Sequence, residues 1–489
     1  MGSKKESLIR IVGAANVLDD PATLEAFSRD ESLAPPRSPW FVVRPTETAQ
    51  VQALVAWANE TKTPLVPVSS GGPRFLGDSV PSVPEAVVVD LSGMSRILKI
   101  DTRNRIAVIE PGVTYPQLDA ALREKGLRIA RPLAPRPAKS VVASLLERQP
   151  TVIPRLQYNL PEPLRTCGVV WGTGEIAFTG EAGSGPASLE DQWKRGGAQV
   201  DPKGPFATDL LRLVTGAQGS MGIVVWASVR LDVAPSVHEY TFVPGRSLEE
   251  LAPFWQKVTR TRLGDEVSIL NAAQLAQLVG KDAAAIEGLR RALPPYVVVI
   301  GLGGAALFPG ERVAVQRKDL DRIVVSCGLT RLASLPGIAL ADLAPLFEGC
   351  PAEPHWKLRF RGASQQVFFL SKIEKVGPLV SAVLSAAEAA GIPAADAAVY
   401  VQPQHQGVVQ HVEVTLPYDP ADARQKAAAK AALGKASRAA MEAGGYFSRP
   451  YGEWADMVYA RDADAKLVLR TVKGIVDPNN VMNPGKLCF

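Results

Sequence analysis

Short apolar runs alternate with amphipathic stretches along the first 130 residues of the chain. Three runs rich in Val and Leu, at 41–43, 65–68 and 86–91, predict buried strands. Between the first two runs, residues 51–58 place Val, Leu and Ala at helical spacing and predict a helix. The chain therefore begins with the alternating pattern of an α/β unit.

A hairpin and a second helix are predicted next. Residues 97–101 and 105–110 are apolar runs around a polar tripeptide, which indicates two paired strands. Residues 115–125 are amphipathic and predict a helix. The segments 131–154 and 172–204 are rich in Pro and Gly.

The second half of the chain follows a boundary at Val233-Ala234-Pro235 and has a different pattern. The predicted helices are 246–260, 310–327, 376–390 and 421–443, and the predicted strands are 297–301, 367–370, 398–401 and 408–416. This order predicts an α+β domain in which helices cover an antiparallel sheet.

Composition indicates a globular chain that is not a dedicated nucleic-acid binder. The 489 residues include 54 Lys and Arg against 49 Asp and Glu, a formal net charge of +5. Nucleic-acid binding requires a more basic surface than this near-balance provides. Hydrophobic residues make up 46% of the chain, which is enough for two or three domains with their own cores.

The four cysteines, Cys167, Cys327, Cys350 and Cys488, lie far apart and form no C-x-x-C pair. This spacing argues against an internal iron–sulfur cluster or a structural zinc site, and it favours a reducing compartment. The N-terminus has no signal-peptide pattern, and the longest apolar run, 296–308, is shorter than the ~20 residues of a transmembrane helix. We therefore expect a cytoplasmic protein without a transmembrane segment.

Two glycine-rich segments, at 69–78 and 215–224, carry the candidate chemistry. Small residues let backbone N–H groups hold an anion such as a diphosphate, or let the backbone approach a flat ligand closely. The alternatives are a surface turn for the first segment and a structural bulge for the second. Neither segment has the spacing of a Rossmann motif or of a P-loop.

Three motifs occur in a fixed order: VPVSSGGPRFLG at 66–77, TGAQGSMGIV at 215–224 and DPNNVMNPGK at 477–486. This arrangement resembles the vanillyl-alcohol oxidase/p-cresol methylhydroxylase flavoprotein family, which includes the flavoprotein subunits of glycolate oxidase and D-lactate dehydrogenase. The resemblance covers about residues 30–235 and 395–489.

The resemblance implies an α+β fold with a two-part FAD-binding domain of the vanillyl-alcohol oxidase type and an α+β cap domain with an antiparallel sheet. The implied division is an N-terminal helical segment at 1–35, the FAD-binding domain at 36–235, the cap or substrate domain at 236–443, and a C-terminal segment at 444–489 that returns to the FAD-binding domain.

The resemblance also implies which residues bind FAD. They are Ser69, Ser70, Gly71, Gly72, Pro73, Arg74, Gly77, Asp78, Pro135, Ser140, Gln218, Gly219, Ser220, Gly222, Ile223, Val224 and Asn483. Relatives carry a Gly-Gly pair where this chain has the stretch 140–144, so we expect its backbone to lie differently against the flavin. The family's covalent-flavin His is absent from the first loop, since no histidine precedes His238, and we expect non-covalent FAD.

Arg449 and Tyr451 are the candidate catalytic residues of a run that resembles the phenol-oxidising branch of the family. An Arg beside the flavin stabilises the anionic reduced ring by a charge-assisted contact. The alternative for Arg449 is a surface ion pair with Asp456 or Glu453. Tyr451 binds or deprotonates the substrate, or it packs against Trp454.

The histidines bear on metal binding and on catalysis. Relatives that oxidise 2-hydroxy acids carry a metal-binding histidine motif, and the spacing of His405 and His411 differs from that motif by one residue. A Glu and a His that follow later in these relatives are replaced here by Pro450 and Tyr451. We therefore expect no metal, because a divalent ion needs several convergent ligands. His411 is a third catalytic candidate if it faces the flavin; otherwise it is a structural imidazole.

A basic and aromatic cluster at 355–361 is the candidate substrate-binding surface. Its alternation predicts a strand that presents Lys357, Arg359 and Arg361 on one face. Such a face suits a substrate carboxylate or an acidic partner, and the alternative is a solvated strand face.

The sequence thus predicts a FAD-dependent dehydrogenase that oxidises a small hydroxy acid by hydride transfer to flavin. Because the chain lacks cluster-forming cysteines, we expect a partner iron–sulfur or electron-transfer-flavoprotein subunit to take the electrons. Two alternatives stay open: a benzylic or phenolic alcohol oxidoreductase of the same family, and an electron-relaying flavin subunit without its own substrate.

Overall fold

The computed structural model describes residues 2–154, 162–185, 188–205 and 207–489. Helices Gly2–Val12 and Pro21–Ser28 precede a four-stranded sheet, and helix Thr48–Thr61 packs on it. The spatial order of its strands is Val17–Leu18, Phe41–Val43, Val87–Asp90 and Leu65–Val68. The last three strands are parallel, which is the arrangement that the strand–helix–strand pattern of the sequence predicts.

A second sheet is antiparallel and has five strands. Their spatial order is Ile97–Asp101, Ile106–Ile109, Gly222–Arg230, Leu164–Trp171 and Ile176–Phe178. The predicted hairpin forms its first two strands. The helices of this part are Tyr115–Arg123, Val141–Leu146, Leu189–Lys194 and Leu211–Val214. A short ladder pairs Leu127–Arg128 with Asp232–Val233.

The third sheet, the cap sheet, is antiparallel and has six strands. Their spatial order is Val237–Gly245, Tyr296–Gly304, Glu266–Asn271, Ala398–Gln404, Val409–Tyr418 and Ala363–Ser371. The helices of this part are Leu248–Arg260, Ala272–Val279, Ala283–Ala292, Pro309–Ser326, Leu340–Glu348, Trp356–Arg359, Val376–Glu388 and Ala423–Glu442. Helix Leu248–Arg260 begins where the Ser247 hydroxyl accepts from the Glu250 N–H, and its apolar side is buried against the cap sheet.

The C-terminal part returns to the first sheet. After helices Glu453–Tyr459 and Ala463–Val476, the chain forms a parallel bridge between Met482 and Leu65. The division at 1–35, 36–235, 236–443 and 444–489 stays a proposal.

The predicted α+β class and the antiparallel cap sheet are confirmed, and one local prediction is wrong. Residues Trp356–Arg359 form a short helix, not a strand, and the His355 imidazole accepts from the Lys357 N–H at the start of this helix. None of the helices in the described ranges combines the length and apolar character needed to cross a bilayer.

Candidate flavin and substrate site

A deep cavity lies where the two glycine-rich loops face the cap sheet. Its wall is built from segments within 67–79, 132–150, 214–224, 355–368 and 400–451. The empty space inside it is about 1700 Å³, with the open solvent at its mouth included. Both glycine-rich loops therefore border one continuous cavity together with residues of the cap sheet.

The first loop is braced from behind by the segment that leads into helix Val141–Leu146. The Gly71 N–H donates to the Ala138 carbonyl at 3.0 Å, and Arg136 Nη2 donates to the Gly71 carbonyl at 2.9 Å. The Ser140 N–H donates to Ser70 Oγ at 3.1 Å. A Cβ on Gly71 would lie 2.9 Å from Ala138 Cβ, so the close approach of these two segments requires glycine.

The second loop packs directly on the strand that leads into the first. Gly219 has φ +70°, and a Cβ there would lie 2.4 Å from Pro67 Cγ. Asn483 holds the two loops together, because its Nδ2 donates to the Asp78 carbonyl at 3.0 Å and to the Gln218 carbonyl at 2.7 Å. The C-terminal motif thus fixes the distance between the loops.

Buried polar groups without protein partners line this half of the cavity. Ser79 Oγ and Arg136 Nε are buried and have no hydrogen-bond partner among the described residues. Burial lowers the pKa of Arg136 to about 10, so its guanidinium stays charged at neutral pH. A buried cation and a free hydroxyl beside two glycine-rich loops fit the diphosphate of FAD.

Asp78 is the acidic group in the same wall. Burial raises the pKa of its carboxyl to about 6, and the neighbouring Glu147 carboxylate contributes to the increase. Glu147 is itself paired with Lys139. The polar lining therefore combines both signs of charge, and among its described residues Arg74, Ser79 and Arg136 have buried donor atoms without a partner.

Arg449 also lines the cavity and is 7% exposed. Its guanidinium carbon is 4.2 Å from the ring centroid of Phe368, and Nη1 donates to the Glu147 carbonyl at 3.5 Å. Burial lowers its pKa from the ordinary value. Among the described residues it forms no ion pair with Asp456 or Glu453, so the surface alternative does not describe it.

Tyr451 lines the cavity beside Arg449 and packs against Phe368, with ring centroids 6.1 Å apart. Burial raises the pKa of its phenol well above the ordinary value, and Glu147 and Asp78 add to this increase. A phenol in this environment stays protonated at neutral pH.

A buried ion pair lies in the cavity wall next to the first glycine-rich loop, where Lys357 Nζ is 5.8 Å from the ring centroid of Phe75. Lys357 Nζ is 2.8 Å from Glu413 Oε1, and His411 Nε2 is 3.5 Å from Glu413 Oε2. Burial would raise the pKa of Glu413, but the Lys357 ammonium outweighs burial and holds the pKa well below its usual range. Burial lowers the pKa of His411, so its imidazole is neutral.

The structure brings most of the sequence-predicted residues to this cavity. Those in its wall are Ser69, Ser70, Arg74, Asp78, Pro135, Gln218, Gly219, Gly222, Ile223, Val224, Lys357, Arg449 and Tyr451. Gly71, Gly72, Pro73 and Gly77 belong to the first loop without lining the wall. Ser140, Ser220 and Asn483 are buried behind it, where Ser140 caps helix Val141–Leu146 and Ser220 donates to the Ala217 carbonyl.

Three predicted residues lie elsewhere. Because the segment at 356–359 is helical, its basic side chains do not share one face, and Arg359 donates to the carbonyls of Pro354 and Ala352. Arg361 pairs with Asp396 at 3.0 Å. The predicted three-residue basic face is therefore replaced by Lys357 alone. His411 lines an adjoining cavity and not this one.

The wall residues that sequence reasoning missed include Arg136, Lys139, Phe368, Tyr400 and Glu413. The last three had a usable signal, because each lies in a predicted strand, and Glu413 follows His411 at the alternate position. Arg136 and Lys139 lie in a Pro-rich stretch, and nothing local indicated that they are buried.

Comparison with family models identifies the two parts of the chain. Residues 39–148 match the FAD binding domain, and residues 374–487 match the C-terminal domain of FAD linked oxidases. Among solved structures, p-cresol methylhydroxylase with bound substrate is similar with a TM-score of 0.84 at 19% identity, covering 100% of this chain and 96% of that chain. The 4-ethylphenol oxidase from Gulosibacter chungangensis has a TM-score of 0.80 at 21% identity, covering 99% and 96%. These likenesses show the shared fold.

Sequence relatives agree with the family models. An uncharacterised FAD-linked oxidoreductase of Mycobacterium tuberculosis is 23% identical over 486 residues, 97% of this chain and 96% of the relative. A D-2-hydroxyglutarate dehydrogenase of Stutzerimonas stutzeri is 29% identical over 231 residues, 47% of this chain and 46% of the relative. The chain thus carries an FAD binding domain and the C-terminal domain of FAD linked oxidases, and its cofactor is FAD.

Proposed function

We propose that FAD binds non-covalently in the cavity, with its diphosphate between the two glycine-rich loops and its ring toward Arg449. The free donors of Ser79 and Arg136 support the first placement. The second is supported by Arg449, a buried cation of the cavity wall that forms no ion pair among the described residues. Acid precipitation of the purified protein tests the linkage. A yellow supernatant is expected, and a yellow pellet would contradict non-covalent binding.

We further propose that the chain is a dehydrogenase of a small aromatic alcohol or phenol. The observation that carries this proposal is the wall around Arg449, in which Phe368, Tyr400, Tyr451 and Trp356 present aromatic surfaces. Aromatic walls bind a flat ring by stacking and edge contacts. When bound, FAD supplies the acceptor for the hydride that leaves the substrate carbon.

The protein's own residues have distinct roles in this reaction. Arg449 stabilises negative charge on the substrate oxygen or on the adjacent ring, since a desolvated guanidinium interacts strongly with an anion. The Tyr451 hydroxyl donates a hydrogen bond and orients the substrate. The Lys357–Glu413 pair is internally neutralised, so it shapes the wall without adding net charge.

A small hydroxy acid is the second candidate substrate. Arg449 in the cavity supports it, because an Arg binds a carboxylate with two parallel hydrogen bonds. Relatives named D-2-hydroxyglutarate dehydrogenase and glycolate oxidase subunit point the same way. The structure gives a hydroxy acid less support than the sequence did, because Arg359 and Arg361 do not line the cavity.

The third candidate function is that of an electron-relaying flavin subunit without its own substrate.

Electrons then leave through a partner redox protein. The four cysteines are free and dispersed, so the chain offers no cluster of its own. A partner with an iron–sulfur centre or a flavin fits this need, and one relative is named a flavoprotein subunit of 4-cresol dehydrogenase. Oxygen uptake during turnover tests this point: a dehydrogenase consumes little, and rapid uptake would assign an oxidase.

Anaerobic flavin bleaching tests the substrate class. The panel contains benzyl alcohol, 4-hydroxybenzyl alcohol, 4-methylphenol, lactate and glycolate. Bleaching by the aromatic compounds alone supports the first candidate, and bleaching by lactate or glycolate alone would replace it with the second. If no compound bleaches a flavin that dithionite still reduces, the relay candidate is favoured.

A further inference from the structure

A second cavity adjoins the first and opens to the surface beside Tyr446, which is 65% exposed. The two cavities share Gln149, Pro150 and Arg449 in their walls. Arg449 therefore borders both spaces, and a ligand in either cavity can reach its side chain.

The wall of the second cavity is basic. Arg148, Arg212 and Arg449 line it, and Glu162 is the acid among its described lining residues. The Glu162 carboxylate is already paired with Arg165 at 2.7 Å and with Arg230 at 3.0 Å. Its charge is thus compensated by residues outside the wall, as is the charge of Arg212, which pairs with Asp209 at 3.1 Å. Arg148 and Arg449 give the cavity a positive potential that attracts anions.

Arg449 provides an independent indication of an anionic ligand. A guanidinium carries five N–H donors, and among the described residues only one long bond, 3.5 Å to the Glu147 carbonyl, uses them. At 7% exposure the side chain is largely removed from water. A buried cation with unused donors is costly unless a ligand supplies acceptors.

We propose that the second cavity binds the carboxylate of the substrate, whose aromatic ring occupies the first cavity. This inference rests on the proposed function and narrows the substrate class to aromatic acids with a carboxylate that reaches Arg449 and Arg148. Arginine suits this role because its planar fork matches a carboxylate. The neutral wall formed by Lys357 and Glu413 leaves this side as the cationic end of the site.

Binding of unreactive ligands to the FAD-loaded protein tests the inference without turnover. The probes are 3-phenylpropionate and its neutral counterpart 3-phenylpropanamide, titrated by the change in the flavin absorption band. We expect the acid to bind about tenfold more tightly than the amide at low salt, with the difference shrinking as salt screens the charges. Equal affinities at low salt would overturn the proposal.

Two variants locate the effect in the second cavity. Arg148→Gln should weaken acid binding by about two- to fivefold, as expected for an exposed charge, and leave amide binding unchanged, whereas Arg148→Lys should restore most of the loss. Arg322→Gln is the matched control, since Arg322 is 80% exposed and pairs with Asp319 on a cap helix. An unchanged acid affinity in Arg148→Gln, or an equal loss for the amide, would overturn the assignment.

The two proposals fail separately. If benzyl alcohol and 4-hydroxybenzyl alcohol bleach the flavin while the acid and the amide bind equally, the aromatic substrate stands and the carboxylate site falls. If the acid binds selectively through Arg148 and no aromatic compound bleaches the flavin, the anion site stands and the proposed reaction falls.

Discussion

Replacing Lys473 with Met should release the second glycine-rich loop. Lys473 is 5% exposed, and its ammonium donates to the Ser220 carbonyl, to the Asp477 carboxylate and to the Met482 carbonyl, the last at 3.0 Å. Ser220 belongs to the second glycine-rich loop, and Met482 forms a parallel bridge with Leu65. One side chain therefore ties the loop to the C-terminal motif.

The magnitude follows from what the substitution leaves behind. Asp477 still accepts from the Val481 and Met482 N–H groups at 3.0 and 2.8 Å, but its buried charge loses its cation. Removing one partner of a buried ion pair costs about 3–5 kcal/mol. We expect Lys473→Met to lose that much stability and to bind FAD more weakly.

Denaturant titration followed by tryptophan and flavin fluorescence measures both effects. Lys194→Met is the control, because Lys194 is 75% exposed in its ion pair with Asp191 and should contribute less than about 1 kcal/mol. If Lys473→Met keeps wild-type stability within about 1 kcal/mol and retains FAD, the bracing role assigned to Lys473 is refuted.

Two further predictions concern the loop contact and the cap. Gly219→Ala should weaken FAD binding and lower the free energy of unfolding by about 2–4 kcal/mol, because the new Cβ clashes with Pro67 and strains the backbone at φ +70°. Gly474→Ala is the control and should be neutral or stabilising, because a Cβ there meets nothing within 4 Å. Equal FAD affinities of the two variants would contradict this prediction. Burial opposes protonation of His238, but hydrogen bonds to Glu266 and Glu348 prevail and raise its pKa to about 9. The stabilisation, up to about 3 kcal/mol, is therefore full below about pH 6.5 and is lost as the pH rises through 9. Thermal melts across this range should show the loss in wild type and not in His238→Gln.

Much of the fold could be predicted because its signals are local. The strands at 41–43, 65–68 and 87–90 and the helix that begins at Thr48 are continuous apolar or periodic runs, and the structure places them within a few residues of the predicted bounds. The strand Glu266–Asn271 and the helices Ala272–Val279 and Ala283–Ala292 were not predicted. The strand is short, and the two helices are short and rich in Ala, so their hydrophobic periodicity is weak.

The site was only partly predictable because its residues converge through tertiary contacts. The glycine-rich loops were identifiable from composition, whereas the burial of Arg136 depends on the packing of 136–140 against the first loop. At the basic cluster at 355–361, a local pattern was present but predicted the wrong element. Its alternation matched a strand, but the His355 cap starts a helix and directs Arg359 away from the cavity.

Arg449 provides the most direct test of the proposed site. Anaerobic stopped-flow reduction of the FAD-loaded protein by its best aromatic substrate should be about 100-fold slower in Arg449→Ala, the usual effect of removing a group that stabilises developing charge. The FAD content should stay at the wild-type level, and Arg246→Ala, at a side chain that is 90% exposed, should reduce at the wild-type rate. Wild-type reduction kinetics in Arg449→Ala would contradict the placement of substrate and flavin beside this residue.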